Sequence, residues 1–384
     1  MRLLLFLSLA PVLGGAQDYL AQALEQQQGG HYREAADSYG KAVKNGSDSP
    51  EIRSNYGLML HLCGEEESAL AQFREALRRN PEQGTGNLFA GIVLFRLGRS
   101  QEAVPFLLRA KRVLPANKEP LLTLGRVYLA EKRYGEALTV LRTAVRLDGG
   151  DGEGWFGVGI AARGLADQII RQQAQHGEAA PASVQPLLQE ALQALSRAVA
   201  LQPNSARTHL LLAESLSDQH QEAQAQAEYR LAIQLAPADP GAYLGLASLY
   251  WKSGSLADAL PVLHQVLALQ PQDPEAHAML ADVLLRQNNN EAARKHAQLA
   301  LGGNPALHRA RFTLGKLALA DKHPEQTIQL LKPVLWADTD GSYHFLAYKA
   351  FRELNRPSEA QQMLAEFRRL QPRGESRGSL EPQH

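Results

Sequence analysis

The sequence predicts an all-α protein built from repeated helix hairpins. Of its 384 residues, 45% are hydrophobic and only 6% aromatic, and the apolar content is mostly Leu and Ala, both strong helix formers. Small residues and prolines also recur every 34 residues, a period typical of stacked helical repeats. The period is carried by Gly57, Gly91, Gly125 and Gly159, by Ala191, Ala225, Ala259 and Ala293, and by Pro203, Pro237, Pro271 and Pro305.

The segment 50–83 shows how one repeat is built. Two stretches carry apolar residues at helical spacing, and Gly64 separates them. Pro81 ends the second helix and opens the next repeat. Gly57 and Ala69 are expected where the two helices approach most closely, because a large side chain there would push them apart. One hairpin cannot bury its apolar face alone, so neighbouring hairpins must stack. The apolar faces are formed by Tyr56, Gly57 and Leu60 in the first helix and by Ala69, Phe73 and Ala76 in the second.

This pattern resembles the tetratricopeptide repeat family. About ten units repeat it in phase, beginning near residues 16, 50, 84, 118, 152, 206, 240, 274, 308 and 341. The resemblance implies a right-handed α-α superhelical solenoid of helix hairpins, in which the first helices line a concave groove for peptides or partner helices. The matching residues are Asn87, Phe89, Ala90, Gly91, Leu94, Gly98, Ala103, Leu107, Ala110 and Pro115 in unit 84–117, and Tyr243, Leu246, Ala247, Tyr250, Gly254, Ala259, Leu263, Val266 and Pro271 in unit 240–273.

Three glycines have the G-x-G-x-x-G spacing of a dinucleotide-binding loop: Gly152, Gly154 and Gly157. Such a loop needs a preceding strand, whereas residues 135–148 have the pattern of a helix. Gly159 falls at the small-residue position of the fifth repeat. These glycines are therefore predicted to serve turns and helix packing, and neither a cofactor nor a cofactor-binding residue is predicted.

The first residues have the features of a secretory signal peptide, predicted over residues 1–16. Arg2 precedes an apolar run over residues 3–13, and the small residues Gly14 and Ala16 stand before the expected cleavage site. The alternative is a buried N-terminal helix. No later stretch approaches the ~20 apolar residues of a membrane helix, so no transmembrane segment is predicted in the mature chain. We expect an exported protein that is periplasmic or secreted, two locations that the sequence does not distinguish.

The period is interrupted once, in the fifth repeat. Residues 166–189 are predicted as an insertion that lengthens both helices of that hairpin, either as a tolerated surface insertion or as a docking element. It separates an N-terminal array at 17–165, about four and a half repeats, from a C-terminal array at 190–370. The ninth repeat is atypical because Pro333 lies within its second half. Residues 371–384 are polar and are predicted to form a disordered tail.

Composition and spacing argue against several function classes. The chain has 40 Lys+Arg and 40 Asp+Glu residues, so no basic surface for nucleic acid is predicted. The single cysteine, Cys63, cannot form an intramolecular disulfide and is interpreted as a packed residue at a helix end. His209 and His277 share a repeat position with Trp155 and are interpreted as partly buried helix residues. No metal-ligand or catalytic spacing stands out, so no metal site, no catalytic residue and no enzymatic activity are predicted.

The candidate binding surface is the groove that the family resemblance implies. Its positions are mostly Leu, Ile and Phe here, so the Lys and Asn clamp by which some family members grip a C-terminal carboxylate is absent. Alternatively, these side chains pack against the next repeat. The predicted groove residues are Leu58, Leu88, Ile92, Phe95, Leu122, Arg126, Phe156, Ile160, Arg163, Leu244, Trp251, Phe312 and Lys316, joined by Leu210, Glu214, Asp282 and Arg286.

We therefore expect a non-enzymatic interaction scaffold that holds an apolar or amphipathic segment of another protein. Neither the partner nor the oligomeric state follows from the sequence. An alternative is an accessory subunit of a cell-envelope polysaccharide synthesis, export or secretion machine that binds glycan or the enzyme, with Tyr250 and Trp251 as aromatic candidates. A third interpretation, a hydrolase, would require a cleft that brings a nucleophile and a base together.

Overall fold

The computed structural model describes residues 14–175 and 181–371, and the regular structure within these ranges is entirely helical. The helices form two compact units, the first ending at Asn204 and the second starting at Ser205. Consecutive helices pair as hairpins, so the predicted all-α stack of helix hairpins is confirmed. The first unit contains α1 (Gly14–Gln28), α2 (Tyr32–Lys44), α3 (Pro50–Leu62), α4 (Glu66–Arg79), α5 (Gly84–Arg96), α6 (Ser100–Val113), α7 (Glu119–Ala130), α8 (Tyr134–Leu147), α9 (Gly152–Gln175) and α10 (Val184–Leu201). The second contains α11 (Ala206–Asp218), α12 (Glu222–Leu235), α13 (Pro240–Lys252), α14 (Leu256–Leu269), α15 (Pro274–Arg286), α16 (Asn290–Gly303), α17 (His308–Ala320), α18 (Pro324–Leu331), a 3₁₀ helix (Lys332–Ala337), α19 (Ser342–Glu353) and α20 (Pro357–Leu370).

The hairpin formed by α9 and α10 is longer than its neighbours. The two helices have 24 and 18 residues, whereas the regular helices before them have 12 to 15. The turn of the predicted insertion includes residues 176–180, which lie outside the described residues, as do 1–13 and 372–384. Helix α1 begins at Gly14, so its first three residues coincide with the end of the predicted signal peptide.

A glycine in the first helix of a hairpin sets how closely the second helix approaches. A Cβ atom placed on Gly125 would lie 2.4 Å from Cδ2 of Leu141, a separation that real Cβ contacts do not reach. The predicted steric role of the small residues is confirmed in four hairpins. The pairs are Gly57 with Phe73 (2.9 Å), Gly91 with Leu107 (2.5 Å), Gly125 with Leu141 (2.4 Å) and Gly159 with Leu195 (2.6 Å).

A side-chain N–H closes the turn between successive hairpins in at least four of the described repeats. Each turn contains a proline or a glycine whose backbone carbonyl accepts a hydrogen bond. The donor is the side chain of the residue six positions later. This position holds four different residue types, so the shared feature is an N–H donor. Because a carbonyl only accepts, the bond also assigns the proton of His277 to Nε2. The pairs are Asn87 Nδ2 with Pro81 (2.8 Å), Trp155 Nε1 with Gly149 (3.0 Å), His277 Nε2 with Pro271 (3.0 Å) and Arg311 Nε with Pro305 (2.9 Å).

Replacing Asn87 tests this turn bond. Asn87 is 0% exposed, and its Oδ1 accepts from Nε of Arg109 at 3.1 Å. We expect Asn87→Leu to lower the free energy of unfolding by about 1–3 kcal/mol, because the buried partners lose their hydrogen bonds. Asn87→His should recover much of this loss, since a histidine makes the same bond at position 277. Urea unfolding followed by circular dichroism measures both, and equal losses would contradict a shared donor role.

A pair of glycine substitutions tests the steric constraint. Gly125→Ala should destabilise the fold by about 1–3 kcal/mol, because buried Leu141 must move to admit the new methyl group. Gly135→Ala is the matched control in α8, where a Cβ would meet nothing within 4 Å. It should be neutral or stabilise by up to about 1 kcal/mol through helix propensity. The urea midpoints compare the two, and a stabilising Gly125→Ala would show that close approach does not require glycine.

Candidate functional site

The predicted groove residues all lie on the first helices of their hairpins. Those in the first unit are Leu58 on α3, Leu88, Ile92 and Phe95 on α5, Leu122 and Arg126 on α7, and Phe156, Ile160 and Arg163 on α9. Those in the second unit are Leu210 and Glu214 on α11, Leu244 and Trp251 on α13, Asp282 and Arg286 on α15, and Phe312 and Lys316 on α17.

In the first unit, much of the predicted apolar surface is covered by the chain itself. Leu88, Leu122 and Phe156 are only 4%, 5% and 7% exposed. A Cβ on Gly154 of α9 would lie 3.3 Å from Cδ2 of Leu122, so the next hairpin reaches this leucine. The remaining apolar positions are half-buried, and Arg126 is exposed. These three buried side chains therefore contribute to packing between hairpins and offer little surface to a partner.

In the second unit, the predicted residues Trp251, Phe312 and Lys316 line one pocket of about 310 Å³. Leu244 does not line it and packs with the core around α13 to α15. The pocket therefore brings together residues from first helices two repeats apart, and we treat it as the candidate site. Its other lining residues are Asp282, Arg286, His308, Arg309, Thr313, Ala337, Asp338, Thr339, Asp340, Ser342 and Tyr343.

One buried carboxylate organises one side of the pocket. Oδ2 of Asp282 accepts hydrogen bonds from Nε1 of Trp251 and from Nε of Arg286, both at 2.9 Å. The guanidinium of Arg309 lies 4.3 Å from the centre of the Trp251 ring, within the range of a cation–π contact. These contacts cover one face of the indole and neutralise Arg286, so this side of the pocket is already paired.

Stacked aromatic rings form another wall of the pocket. The ring centres of Phe312 and Tyr343 lie 4.4 Å apart with an interplanar angle of 26°. The ammonium of Lys316 lies 4.4 Å from the centre of the Phe312 ring. Burial lowers the pKa of Lys316, although the nearby carboxylates of Asp282 and Asp340 act to raise it.

Tyr343 is held as a neutral phenol. Burial raises its pKa to about 12, although Arg309 acts in the opposite direction. The pKa of His308 is lowered by burial and by Arg309, so its imidazole is neutral at pH 7. The phenol oxygen and Nδ1 of His308 are 2.7 Å apart, so the two neutral groups share one hydrogen bond. This bond fixes the orientation of the aromatic wall.

Nine lining residues were not predicted from the sequence, and those that contribute charge or a ring are His308, Arg309, Asp338, Asp340 and Tyr343. The signal for Asp338 and Asp340 is Pro333, which has no N–H to donate to an α-helical hydrogen bond. Helix α18 therefore ends at Leu331, and the chain continues as a 3₁₀ helix. A turn follows in which Gly341 adopts φ +82°, and this turn carries Asp338 and Asp340 to the pocket.

Other motifs of the sequence have structural roles. Gly154 and Gly157 lie inside α9 against Val145 and Leu141, as predicted for helix packing. His209 and His277 are buried. Within residues 14–175 and 181–371, no group of three His, Cys, Asp or Glu side chains is arranged to hold a metal ion. No helix in the described part of the chain combines the length and apolar character needed to cross a bilayer.

Comparison with known families agrees with the repeat pattern. Two sequence profiles, both described as tetratricopeptide repeat, match residues 20–69, 64–118 and 244–308 in one case and residues 119–151 in the other. Together they cover about half of the chain. The chain belongs to the tetratricopeptide repeat family. Proteins of this family bind other proteins or peptides, and the repeat scaffold is typically non-catalytic.

Individual relatives share the repeats over a limited region. The chain is 32% identical over 163 residues to Protein O-mannosyl-transferase Tmtc1 of Drosophila melanogaster, covering 41% of this chain and 18% of that protein. It is 26% identical over 258 residues to Cellulose synthase operon protein C of Xanthomonas axonopodis pv. citri (strain 306), covering 65% and 16%. Among solved structures, YrrB, described as a TPR protein with an unusual peptide-binding site, aligns with a TM-score of 0.43 and 19% identity over 53% of this chain and 95% of that one. The chain thus spans less than a fifth of the length of these two curated relatives.

Proposed function

We propose that this tetratricopeptide repeat protein is an exported, non-enzymatic scaffold that holds a segment of another protein against its first helices. The observation that carries the proposal is the pocket of the second unit. Trp251, Phe312 and Lys316, which the sequence predicts as groove residues, line one concavity together with Asp282 and Arg286. Aromatic side chains beside fixed charges suit an amphipathic protein segment.

The first unit supports a smaller role for its groove. Ile92, Phe95 and Ile160 remain half-buried at the surface of the stack, so they can add apolar contact area. Since Leu88 and Leu122 are buried, this area is smaller than the sequence suggested. We therefore assign the anchoring contact to the second unit.

Export is proposed because residues 1–16 have the features of a secretory signal peptide. An exported protein would reside in the periplasm or outside the cell. Cleavage after Ala16 would remove the first three residues of α1 and leave the rest of that helix in place. The mature protein would then begin at Gln17 with its hairpin stack intact.

A second candidate function is an accessory role in polysaccharide synthesis or export. Trp336 in the 3₁₀ helix is 81% exposed, which is unusual for a large aromatic residue and leaves a surface on which a sugar ring could stack. The similarity to Cellulose synthase operon protein C makes a β-linked glucan the first ligand to test. Trp251, one of the two aromatic residues that the sequence suggested for this role, suits glycan stacking less well, because Arg309 covers one face of its ring.

Site-specific crosslinking tests the scaffold proposal. A photoreactive amino acid at Lys316, on α17, should form an adduct with a specific protein from envelope extract. The matched control is Lys295, which is exposed on α16, a second helix, and should form none. Mass spectrometry of the adduct identifies the bound segment. Equal labelling from both positions, or none from Lys316, would contradict the proposal. A third probe is placed at Ile170 on α9, and labelling from this position alone would assign binding to the α9–α10 hairpin.

Calorimetric titration with cellohexaose tests the glycan alternative. If Trp336 is a stacking platform, the wild-type chain should release heat on binding and Trp336→Ala should lose it. Trp251→Phe is the control and should retain binding. The absence of heat with the wild-type chain, or undiminished binding by Trp336→Ala, would reject a glycan site at this residue.

A further inference from the structure

Two histidine rings meet between the helices of the α15–α16 hairpin. Nδ1 of His277 on α15 lies 2.9 Å from Nδ1 of His296 on α16, and the ring centres are 5.1 Å apart. His277 is buried and His296 is half-buried. One nitrogen of this contact must donate and the other must accept, so the contact depends on how many protons the two rings carry.

The turn before α15 fixes the protons of the neutral pair. Nε2 of His277 donates to the carbonyl of Pro271 at 3.0 Å, so Nδ1 of the neutral ring can only accept, and His296 donates to it. A first additional proton on Nε2 of His296 leaves this bond in place. A second one, on Nδ1 of His277, would set two N–H groups against each other. The pair therefore tolerates one additional proton and is broken by two.

The groups that act on His296 are cationic or become cationic in acid. Burial, the His277 ring, Lys295 on α16 and His264 on α14 all lower the pKa of His296. No carboxylate in the described part of the chain is among these groups. Protonation of the pair is therefore opposed from both neighbouring helices.

The other helices that pack on α15 bring charges that are already engaged or lie at the surface. On α17, Arg309 lies 3.9 Å from Glu275 of α15, and Arg311 donates to the carbonyl of Pro305. Asp273 caps the start of α15 by accepting from the backbone N–H of Ala276. Lys252, at the end of α13, is exposed. These contacts leave the histidine pair without a counter-ion among the described residues.

An equivalent contact in an earlier hairpin contains a carboxylate. Two repeat periods before His277 and His296, the same positions hold His209 on α11 and Glu228 on α12. Nδ1 of His209 lies 2.5 Å from Oε2 of Glu228. A carboxylate accepts from a neutral or a protonated imidazole and attracts the protonated one more strongly. The α11–α12 hairpin therefore keeps its contact in acid, whereas the α15–α16 hairpin does not.

We propose that the His277–His296 pair is an acid-sensitive contact that holds the α15–α16 hairpin closed near neutral pH and releases it when both rings take up protons. After release, each ring titrates near the ordinary histidine value of about 6.5. The closed hairpin binds fewer protons than the open one below that pH. Its stability is therefore complete above about pH 6.5 and is lost as the pH falls through the lowered pKa of His296.

This contact also bears on the candidate pocket. Helix α15 carries Asp282 and Arg286 to the pocket wall, so opening of the α15–α16 hairpin in acid would displace both side chains. The proposal itself concerns the hairpin and does not depend on what the pocket binds.

Hydrogen exchange of the full chain, followed by mass spectrometry and corrected for the intrinsic exchange rate, tests the contact. Between about pH 7 and about pH 5, we expect the opening equilibrium constant of α15–α16 peptides to rise about tenfold, because each proton taken up on opening contributes up to tenfold per pH unit. Peptides from α11–α12 are the internal control, and their opening constant should change less than threefold.

Two substitutions separate the histidine pair from other effects of acid. His296→Glu reproduces the His209–Glu228 arrangement and should abolish the rise. His277→Asn introduces the residue of the equivalent position 87, where Asn makes the turn bond, and should reduce the rise to less than threefold. The control His323→Gln, at an exposed position before α18, should keep the full rise.

Several results would overturn the proposal. They are an equal rise in α11–α12, no rise in the wild type, or a rise that persists in both His296→Glu and His277→Asn. Circular dichroism near neutral pH checks that each variant folds. If a variant does not fold, the comparison of the two hairpins within the wild-type chain still decides the outcome.

Discussion

The fold depends on how closely the two helices of each hairpin approach. A leucine or phenylalanine of the second helix occupies the space that a Cβ on the first helix would need, as at Gly91 with Leu107. Because these partners are buried, the helix separation tolerates little variation. The separation in turn sets where the next hairpin docks. In the second unit the same position holds the fully buried Ala247 and Ala281, so a small side chain sets the approach of the helices that carry the pocket.

Much of this architecture could be predicted from the sequence, because its signals are local and repeated. A glycine or alanine every 34 residues predicts a close approach of two helices, regardless of the residues beside it. The prolines predict the turns between hairpins. The same pattern correctly predicted that the glycines of α9 serve helix packing. Trp251, Phe312 and Lys316 were assigned to one surface for the same reason, since they occupy equivalent faces of first helices.

The rest of the site could not be predicted, because its signals are not periodic. Asp338 and Asp340 reach the pocket only because Pro333 converts the end of one helix into a 3₁₀ turn, and the path of such a turn does not follow from residue spacing. The sequence left open whether Leu122 lines the groove or packs against the next repeat, because its burial depends on a contact made by the next hairpin. The turn-closing donors were missed because Asn87 and Trp155 have little in common except an N–H group.

The 3₁₀ segment also has a consequence for cooperativity. Helix α19 packs on α17 and α18 across this segment, whose hydrogen-bond geometry is weaker than that of an α-helix. Separation at this joint would pull Tyr343 away from Phe312 and dismantle the pocket, whereas any bound segment would bridge the joint and resist its opening. Binding of a segment in the pocket is therefore thermodynamically linked to local unfolding of the α19–α20 hairpin. A bound segment would stabilise that hairpin against opening.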